Sequence, residues 1–391
     1  MPRGPWTTPV AAGIVSGLVG FTSAFVVVLQ GLAAVGASPD EAASGLLAVT
    51  IAMGVASIVM AVATRLPITV AWSTPGAALL VGTGVVDGGW PAAVGAFLVT
   101  GVLVALTGLV PWLGRAIAAI PTSIAQAMLA GVLLQLCLGV VTGLAANPLA
   151  VAPVVVVWIA ASRLAPRFAA PLAFATAAIV IAIHLGATGV APAASELTPH
   201  VAITTPTFTV AGIVGIALPL FLVTMASQNV PGVAVMRGLG YTVPWRPTMV
   251  VTGAGTMLAA PLGGHAINLA AISAALAAGP DAGEDRSRRW LASVSSGTLL
   301  VVLGIGSSAL ATLVGLAPVG VVAAVAGLAL LGTLASSLHA ALDDAADRIP
   351  AVAAFAVAAS GIAIAGVSAA FWALVVGILL RAVLRGWRRA G

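Results

Sequence analysis

Charged side chains are scarce in this sequence, and lysine is missing from it altogether. Only 6% of the 391 residues are charged, all 15 basic residues are arginine, and 61% of the residues are hydrophobic. A soluble domain of this length cannot bury so much apolar surface. The composition therefore predicts a membrane protein. The sequence pI near 11.2 does not indicate nucleic-acid binding, because the arginines are spread singly between apolar runs.

Chemically reactive side chains are equally rare. The single cysteine, Cys137, stands inside an apolar run, which excludes a disulfide framework and a thiolate metal site. The apolar stretches contain no HExxH motif, no pair of acidic residues and no serine, histidine and acid set at a recognisable spacing. The sequence thus predicts neither an enzyme nor a bound cofactor or metal.

The uncharged stretches divide into fourteen predicted spans, since a membrane helix needs about 20 apolar residues. These spans cover residues 9–35, 42–63, 69–84, 91–113, 117–141, 148–163, 168–188, 208–233, 246–260, 265–279, 290–314, 318–339, 349–365 and 368–384. With both termini in the cytoplasm, every arginine lies on the cytoplasmic side, as the positive-inside rule requires. Asp40, Glu41, Asp87 and Glu196 then lie outside. The last two spans are separated only at Gly366 to Ser368.

Seven spans in each half give the second half an inverted orientation, as in several secondary-transporter folds. We therefore predict an all-α polytopic protein with inverted repeats at residues 1–190 and 205–391. Spans 3 and 10, RLPITVAWSTPGAALL at 65–80 and APLGGHAINLAAISAAL at 260–276, are short and rich in proline or glycine. Each should be an extended stretch followed by a half-helix, the two half-helices meeting near the midplane.

The half-helices are predicted to begin near Ser73 to Gly76 and near His265 to Asn268, where free N–H groups and a partial positive charge suit an anion. Gln228 and Asn229 lie in span 8 just before Pro231, where a helix break is expected. The candidate substrate-binding residues are Phe21, Trp72, Ser73, Thr74, Gly76, Gln228, Asn229, His265 and Asn268. The predicted spans hold no Asp, Glu or Lys, so these neutral groups would have to hold any ligand.

Each candidate also has a purely structural interpretation. Gln228 and Asn229 could join helices, Ser73 and Thr74 could be simple helix caps, and aromatic residues in membrane helices often only pack. His265 could be a packed, hydrogen-bonded histidine. It is also the candidate proton-coupling group, because an unperturbed histidine titrates at about pH 6.5.

Three motifs resemble the benzoate/proton symporter family (BenE-type). They are AWSTPGAALL at 71–80, MASQNVPGVAVMRGLGY at 225–241 and GGHAINLAAISAAL at 263–276. The resemblance covers essentially the whole chain. It implies the architecture of the nucleobase/ascorbate and sulfate-permease transporters, with a core domain at 9–113 and 208–314 and a gate domain at 117–188 and 318–384.

The resemblance also implies a function, namely import of benzoate or a similar small aromatic carboxylate with a proton across the bacterial inner membrane. The chain lacks the acidic residues that nucleobase carriers have in spans 8 and 10, which favours an organic anion. The alternatives are a carrier or channel of the same fold for another small anion without proton coupling, and a non-transporting scaffold. The expected partners are the carboxylate, a proton and the lipid bilayer, with a homodimer left open.

Overall fold

Apolar helices make up most of the chain. The computed structural model describes residues 6–364 and 367–390, without the side chains of residues 116–118, 272 and 385–390. Arg3, Gly366 and the side chains of Arg385, Arg388 and Arg389, which entered the predicted topology, lie outside this description.

The described part of the first half contains nine α-helices and one strand, apart from short 3₁₀ turns. They are α1 (Thr7–Thr22), α2 (Phe25–Ala34), α3 (Pro39–Thr64), β1 (Val70–Trp72), α4 (Thr74–Thr83), α5 (Gly89–Leu109), α6 (Pro111–Ala118), α7 (Thr122–Ala146), α8 (Pro148–Leu164) and α9 (Ala169–Thr188).

Among the residues described in the second half, eight helices and one strand follow, again apart from short 3₁₀ turns. They are α10 (Val210–Gly238), α11 (Trp245–Ala259), β2 (Ile267–Leu269), α12 (Ile272–Ala278), α13 (Trp290–Ile305), α14 (Ser307–Gly315), α15 (Val321–Leu342), α16 (Arg348–Ala359) and α17 (Ala369–Ala390).

Seven helical segments among the described residues are long and apolar enough to cross a bilayer. The number rises to eight if α13 and α14, which are bent by 56° at Gly306, form one span. Three shorter apolar helices lie at Pro148–Leu164, Arg348–Ala359 and Ala369–Leu384. The chain is therefore a mostly helical membrane protein. A helix occupies each of the fourteen predicted segments, but the fourteen-span inverted repeat remains a prediction.

The prediction of an all-α fold was wrong in one detail, because β1 and β2 form an antiparallel pair. Val70 lies opposite Leu269, and Trp72 lies opposite Ile267. The pairing extends by one bond at each end, from Ser73 N to Ala266 O at 2.9 Å and from Ala270 N to Thr69 O at 3.0 Å. Extended backbone inside a membrane must find such partners, since no water is available there.

Side chains of neighbouring helices occupy the outer edges of both strands. On β1, Ser57 Oγ accepts the Val70 N–H at 2.8 Å. On β2, Thr256 Oγ1 accepts the Ile267 N–H at 3.0 Å. Ser57 lies on α3 and Thr256 on α11, the helices that directly precede the two strands. Each strand is thus held by a hydroxyl from its own half of the chain.

The second half-helix, α12, begins at Ile272 rather than at His265 to Asn268 as predicted. The reason is the strand pairing, since Ile267 to Leu269 remain extended to bond β1. Its seven residues make it shorter than α4, which has ten and begins at Thr74, close to the predicted start.

Helix α10 continues through Pro231 without the expected break. It contains two π-helical turns, Ile213–Ala217 and Met225–Asn229, and each ends two residues before a proline, Pro219 or Pro231. A proline lacks the N–H of the α-helical bond and crowds the preceding turn. A wider π turn accommodates this defect without ending the helix.

Glycines allow the closest helix contacts. An added Cβ on Gly54 of α3 would lie 2.7 Å from Gly297 O of α13. On Gly253 of α11, a Cβ would lie 2.6 Å from Gly101 O of α5. Small residues at such crossings are typical of membrane helices, where close backbone packing replaces the hydrophobic effect.

Candidate functional site

A cavity of about 260 Å³ lies beside the strand pair. One wall consists of residues of α1, of β1, of the first turn of α4 and of the segment from Ala270 into α12, together with Gln228 of α10. The opposite wall consists of Leu133 of α7 and residues 329–333 of α15. Most of the lining is apolar, and polar groups are few.

Three of the predicted site residues line this cavity, namely Trp72, Thr74 and Gln228. Trp72 is the last residue of β1, and its backbone N–H contacts Met53 Sδ at 3.2 Å. Thr74 is the first residue of α4. Gln228 belongs to the second π turn of α10, and its partly exposed side chain faces the cavity. The structure therefore brings an aromatic ring, a helix N-terminus and a carboxamide to one space.

Ser73 and Gly76 lie behind the lining and fix the start of α4. Ser73 is fully buried, and its Oγ accepts the Gly76 N–H at 3.1 Å and the Thr224 hydroxyl at 2.8 Å. The first turn of a helix has N–H groups without intrahelical partners. Since Pro75 has no N–H and Gly76 is capped, Thr74 supplies the free N–H of this turn.

His265 is buried and does not line the cavity. Its Nε2 lies 3.2 Å from Ser73 O. A carbonyl oxygen only accepts, so this contact requires a proton on Nε2. The ring also packs edge-to-face on Phe97, with centroids 6.5 Å apart. His265 thus contacts the segment that carries Thr74, one residue removed from the cavity.

Asn229 and Asn268 are fully buried and bonded to the strand pair. Asn229 Oδ1 accepts the Leu269 N–H at 2.8 Å, and its Nδ2 lies 3.1 Å from Met225 Sδ. Asn268 Nδ2 donates to Trp72 O at 3.4 Å. Neither side chain lines the cavity, and each bonds the backbone of the strand pair instead.

Phe21 supports the aromatic wall from behind. Its ring lies 5.4 Å from that of Trp72 and stacks on Phe25 at 5.3 Å. Because Phe21 is only 1% exposed and is absent from the cavity lining, it positions Trp72 rather than forming the surface itself.

Several small polar residues of the lining escaped the sequence interpretation. Ser16 lies on α1 and Ser23 caps its C-terminus seven residues later, so both lie on the same side of the helix, a spacing that could have indicated them. Thr69 gave no such signal. It is 1% exposed, and its hydroxyl has no hydrogen-bond partner among the described residues. Burying an unpaired hydroxyl costs roughly 1–3 kcal/mol.

Among the described residues, only backbone groups contribute charge to the cavity. No Asp, Glu, Arg or His is part of the lining. The N-terminus of α4 contributes a partial positive charge, equivalent to roughly half an elementary charge for a full macrodipole. Among the described residues there is also no group of three His, Cys, Asp or Glu that could hold a metal ion. The site can therefore bind a small anion with an apolar body, without cations of its own.

Comparison with known proteins places the chain among membrane transporters. The "Inner membrane protein YdcO" of Escherichia coli is 38% identical over 373 residues, which are 95% of each chain. The "Benzoate membrane transport protein" of Acinetobacter baylyi is 30% identical over 95% of this chain and 94% of its own.

Solved structures share the fold at low identity. The transmembrane domain of the cyanobacterial bicarbonate transporter BicA has a TM-score of 0.62 at 14% identity, with 98% of each chain covered. The murine anion transporter Slc26a9 in its inward-facing state has a TM-score of 0.60 at 13% identity, covering 99% of this chain and 69% of its own.

The sequence model of the family "Benzoate membrane transport protein" matches residues 6–383, nearly the whole chain. This match, together with the two relatives, makes the protein a membrane transporter rather than an enzyme, as the sequence predicted. The chain belongs to the BenE family of benzoate membrane transport proteins.

Proposed function

We propose that this protein is a secondary active transporter that imports benzoate or a similar small aromatic carboxylate together with a proton. The observation that carries the proposal is the cavity, in which an apolar, aromatic-walled space without charged side chains meets the N-terminus of α4. The relative named for benzoate transport supports this substrate class. The relative named as an inner membrane protein supports a location in the bacterial inner membrane. The cytoplasmic position of both termini is proposed from the arginine distribution alone.

The proposed architecture is the fourteen-span inverted repeat, with residues 1–190 and 205–391 as its halves. The matched hydroxyls of Ser57 and Thr256, one per half, support it. A core domain of 9–113 and 208–314 would move against a gate domain of 117–188 and 318–384. The cavity has one wall in each of these parts, where a carried substrate would have to lie.

The substrate carboxylate is proposed to bind at the N-terminus of α4, where the Thr74 N–H and hydroxyl can donate to it. The ring would pack on Trp72 and on the apolar residues Ala24, Leu133 and Leu330. The Gln228 carboxamide would add a hydrogen bond. Since α4 and α12 begin at opposite ends of the strand pair, one carboxylate contacts a single half-helix, not both as the sequence suggested.

His265 is proposed to couple proton and substrate through its contact with Ser73. A carboxylate bound at Thr74 would favour the protonated imidazole, and protonation would in turn tighten substrate binding. The rival mechanism leaves the histidine neutral and lets the substrate or a chain of waters carry the proton.

A second candidate function is a carrier or channel for another small anion without proton coupling. The shared fold with a bicarbonate transporter favours it as the alternative. Purified protein in proteoliposomes separates the two, with labelled benzoate offered under imposed pH and voltage gradients. Accumulation driven by inward-directed protons supports symport of benzoate. Bicarbonate or sulfate flux without benzoate counterflow would refute the proposal.

A further inference from the structure

Thr69 differs from the other buried threonines of the described chain. Those on helices donate their hydroxyl to a nearby carbonyl or side chain, as Thr50 does to Leu46 O at 2.5 Å and Thr256 to Thr252 O at 2.9 Å. Thr69 lies in the extended stretch before β1, where no carbonyl one turn earlier is within reach. Its hydroxyl is buried and unpaired among the described residues, and Thr69 is one of the residues that line the cavity.

The backbone of Thr69 is fixed, so only rotation about its Cα–Cβ bond can bring the hydroxyl to a partner in the cavity. Its carbonyl accepts the Ala270 N–H at 3.0 Å, at the α12 end of the strand pair. Ala271 and Ser273, which follow Ala270 in the chain, line the cavity as well. Thr69 therefore holds an unpaired donor and acceptor at a fixed backbone position in the cavity wall.

The distance between the two ends of the cavity determines what Thr69 can contact. From Thr69 to Ser73 the chain is extended over four residue steps, which corresponds to roughly 13 Å. A carboxylate at Thr74 is therefore far from the Thr69 hydroxyl, with the ring between them. Only a polar group on the side of the ring opposite the carboxylate can reach Thr69.

We propose that Thr69 is a further substrate-binding residue, whose hydroxyl hydrogen-bonds a polar substituent, such as a phenolic hydroxyl, opposite the carboxylate of an aromatic acid. This inference rests on the proposed function. It extends the substrate class from benzoate to para-substituted hydroxybenzoates. An ortho hydroxyl lies next to the carboxylate and cannot make this bond.

The test compares two isomers on three proteins. Wild type, Thr69→Val and Thr69→Ser are purified, and para- and ortho-hydroxybenzoate compete against labelled benzoate for binding. The ratio of the two inhibition constants is measured for each protein, because a ratio cancels general effects on binding. We expect Thr69→Val, which keeps the shape but loses the hydroxyl, to shift the ratio about fivefold against the para isomer, the loss of one hydrogen bond. Thr69→Ser should keep the wild-type ratio.

Two results overturn the inference. One is a wild-type protein that binds benzoate but excludes the para isomer, and the other is a ratio unchanged in Thr69→Val. If wild type binds no aromatic acid at all, the proposed function fails instead, which the labelled benzoate shows directly. Thermal unfolding of each variant confirms that the protein compared is folded.

Discussion

Gln228 and Asn229 are neighbours in sequence with different expected roles, and mutating each to alanine tests the site geometry. Asn229 Oδ1 accepts the buried Leu269 N–H, so Asn229→Ala leaves this donor unpaired. A buried unpaired donor costs roughly 1–3 kcal/mol. We expect Asn229→Ala to lower the free energy of unfolding by about 2 kcal/mol, because β2 loses the partner at its outer edge.

Gln228→Ala should weaken substrate binding instead of lowering stability. Its carboxamide faces the cavity, and substitutions away from buried networks usually change stability by less than about 0.5 kcal/mol. Losing its hydrogen bond to the substrate should weaken binding by roughly 0.5–3 kcal/mol, the larger value applying if the carboxamide reaches the charged group.

Both variants are measured by chemical unfolding in detergent and by competition binding of labelled benzoate. The reasoning is refuted if Asn229→Ala unfolds like wild type while its affinity falls, since Asn229 would then contact the substrate and β2 would not need it. It is equally refuted if Gln228→Ala is as unstable as Asn229→Ala with unchanged affinity.

Three further predictions concern topology, coupling and the gate. In an otherwise cysteine-free protein, Arg286→Cys should label only from the cytoplasm and Asp87→Cys only from outside, and external labelling at position 286 would overturn the topology. If His265 couples the proton, folded His265→Gln should bind benzoate but no longer concentrate it under an imposed pH gradient, and accumulation at the wild-type level would contradict this. Asp347 is buried, and its carboxylate accepts a hydrogen bond from Arg381 Nε at 2.9 Å. Asp347→Asn should therefore lower the free energy of unfolding by about 3 kcal/mol. An unchanged free energy of unfolding would show that the pair is dispensable.

Local sequence signals were sufficient to predict where the first half-helix, α4, begins. A serine cap followed by Pro75 in the first turn is a pattern that needs no tertiary information, and α4 begins within one residue of Ser73. The interruption of spans 3 and 10 was also predictable, because proline and paired glycines disfavour a continuous helix whatever surrounds them.

The second half-helix could not be located in the same way. Gly263 and Gly264 resemble a helix start, but the residues after them pair with a strand almost 200 positions earlier in the chain. Such pairing depends on where the fold places the two segments. Similarly, the predicted extended stretch before α4 includes Thr69, but the sequence does not show that its hydroxyl finds no partner there, because that depends on which side chains the fold brings beside it.

The neutrality of the cavity bears directly on how a carboxylate can cross the membrane. No cationic side chain lines it among the described residues, and an isolated ionised carboxylate is costly to remove from water. The dipole of α4 and a few hydrogen bonds offset part of this cost. A proton that travels with the anion offsets more, because the moving complex then carries no net charge. His265 is placed to share that proton without occupying the cavity, since one Ser73 carbonyl separates its ring from the residue at which the carboxylate is proposed to bind. A transporter built on dipoles instead of arginine therefore has a physical reason to be coupled to protons.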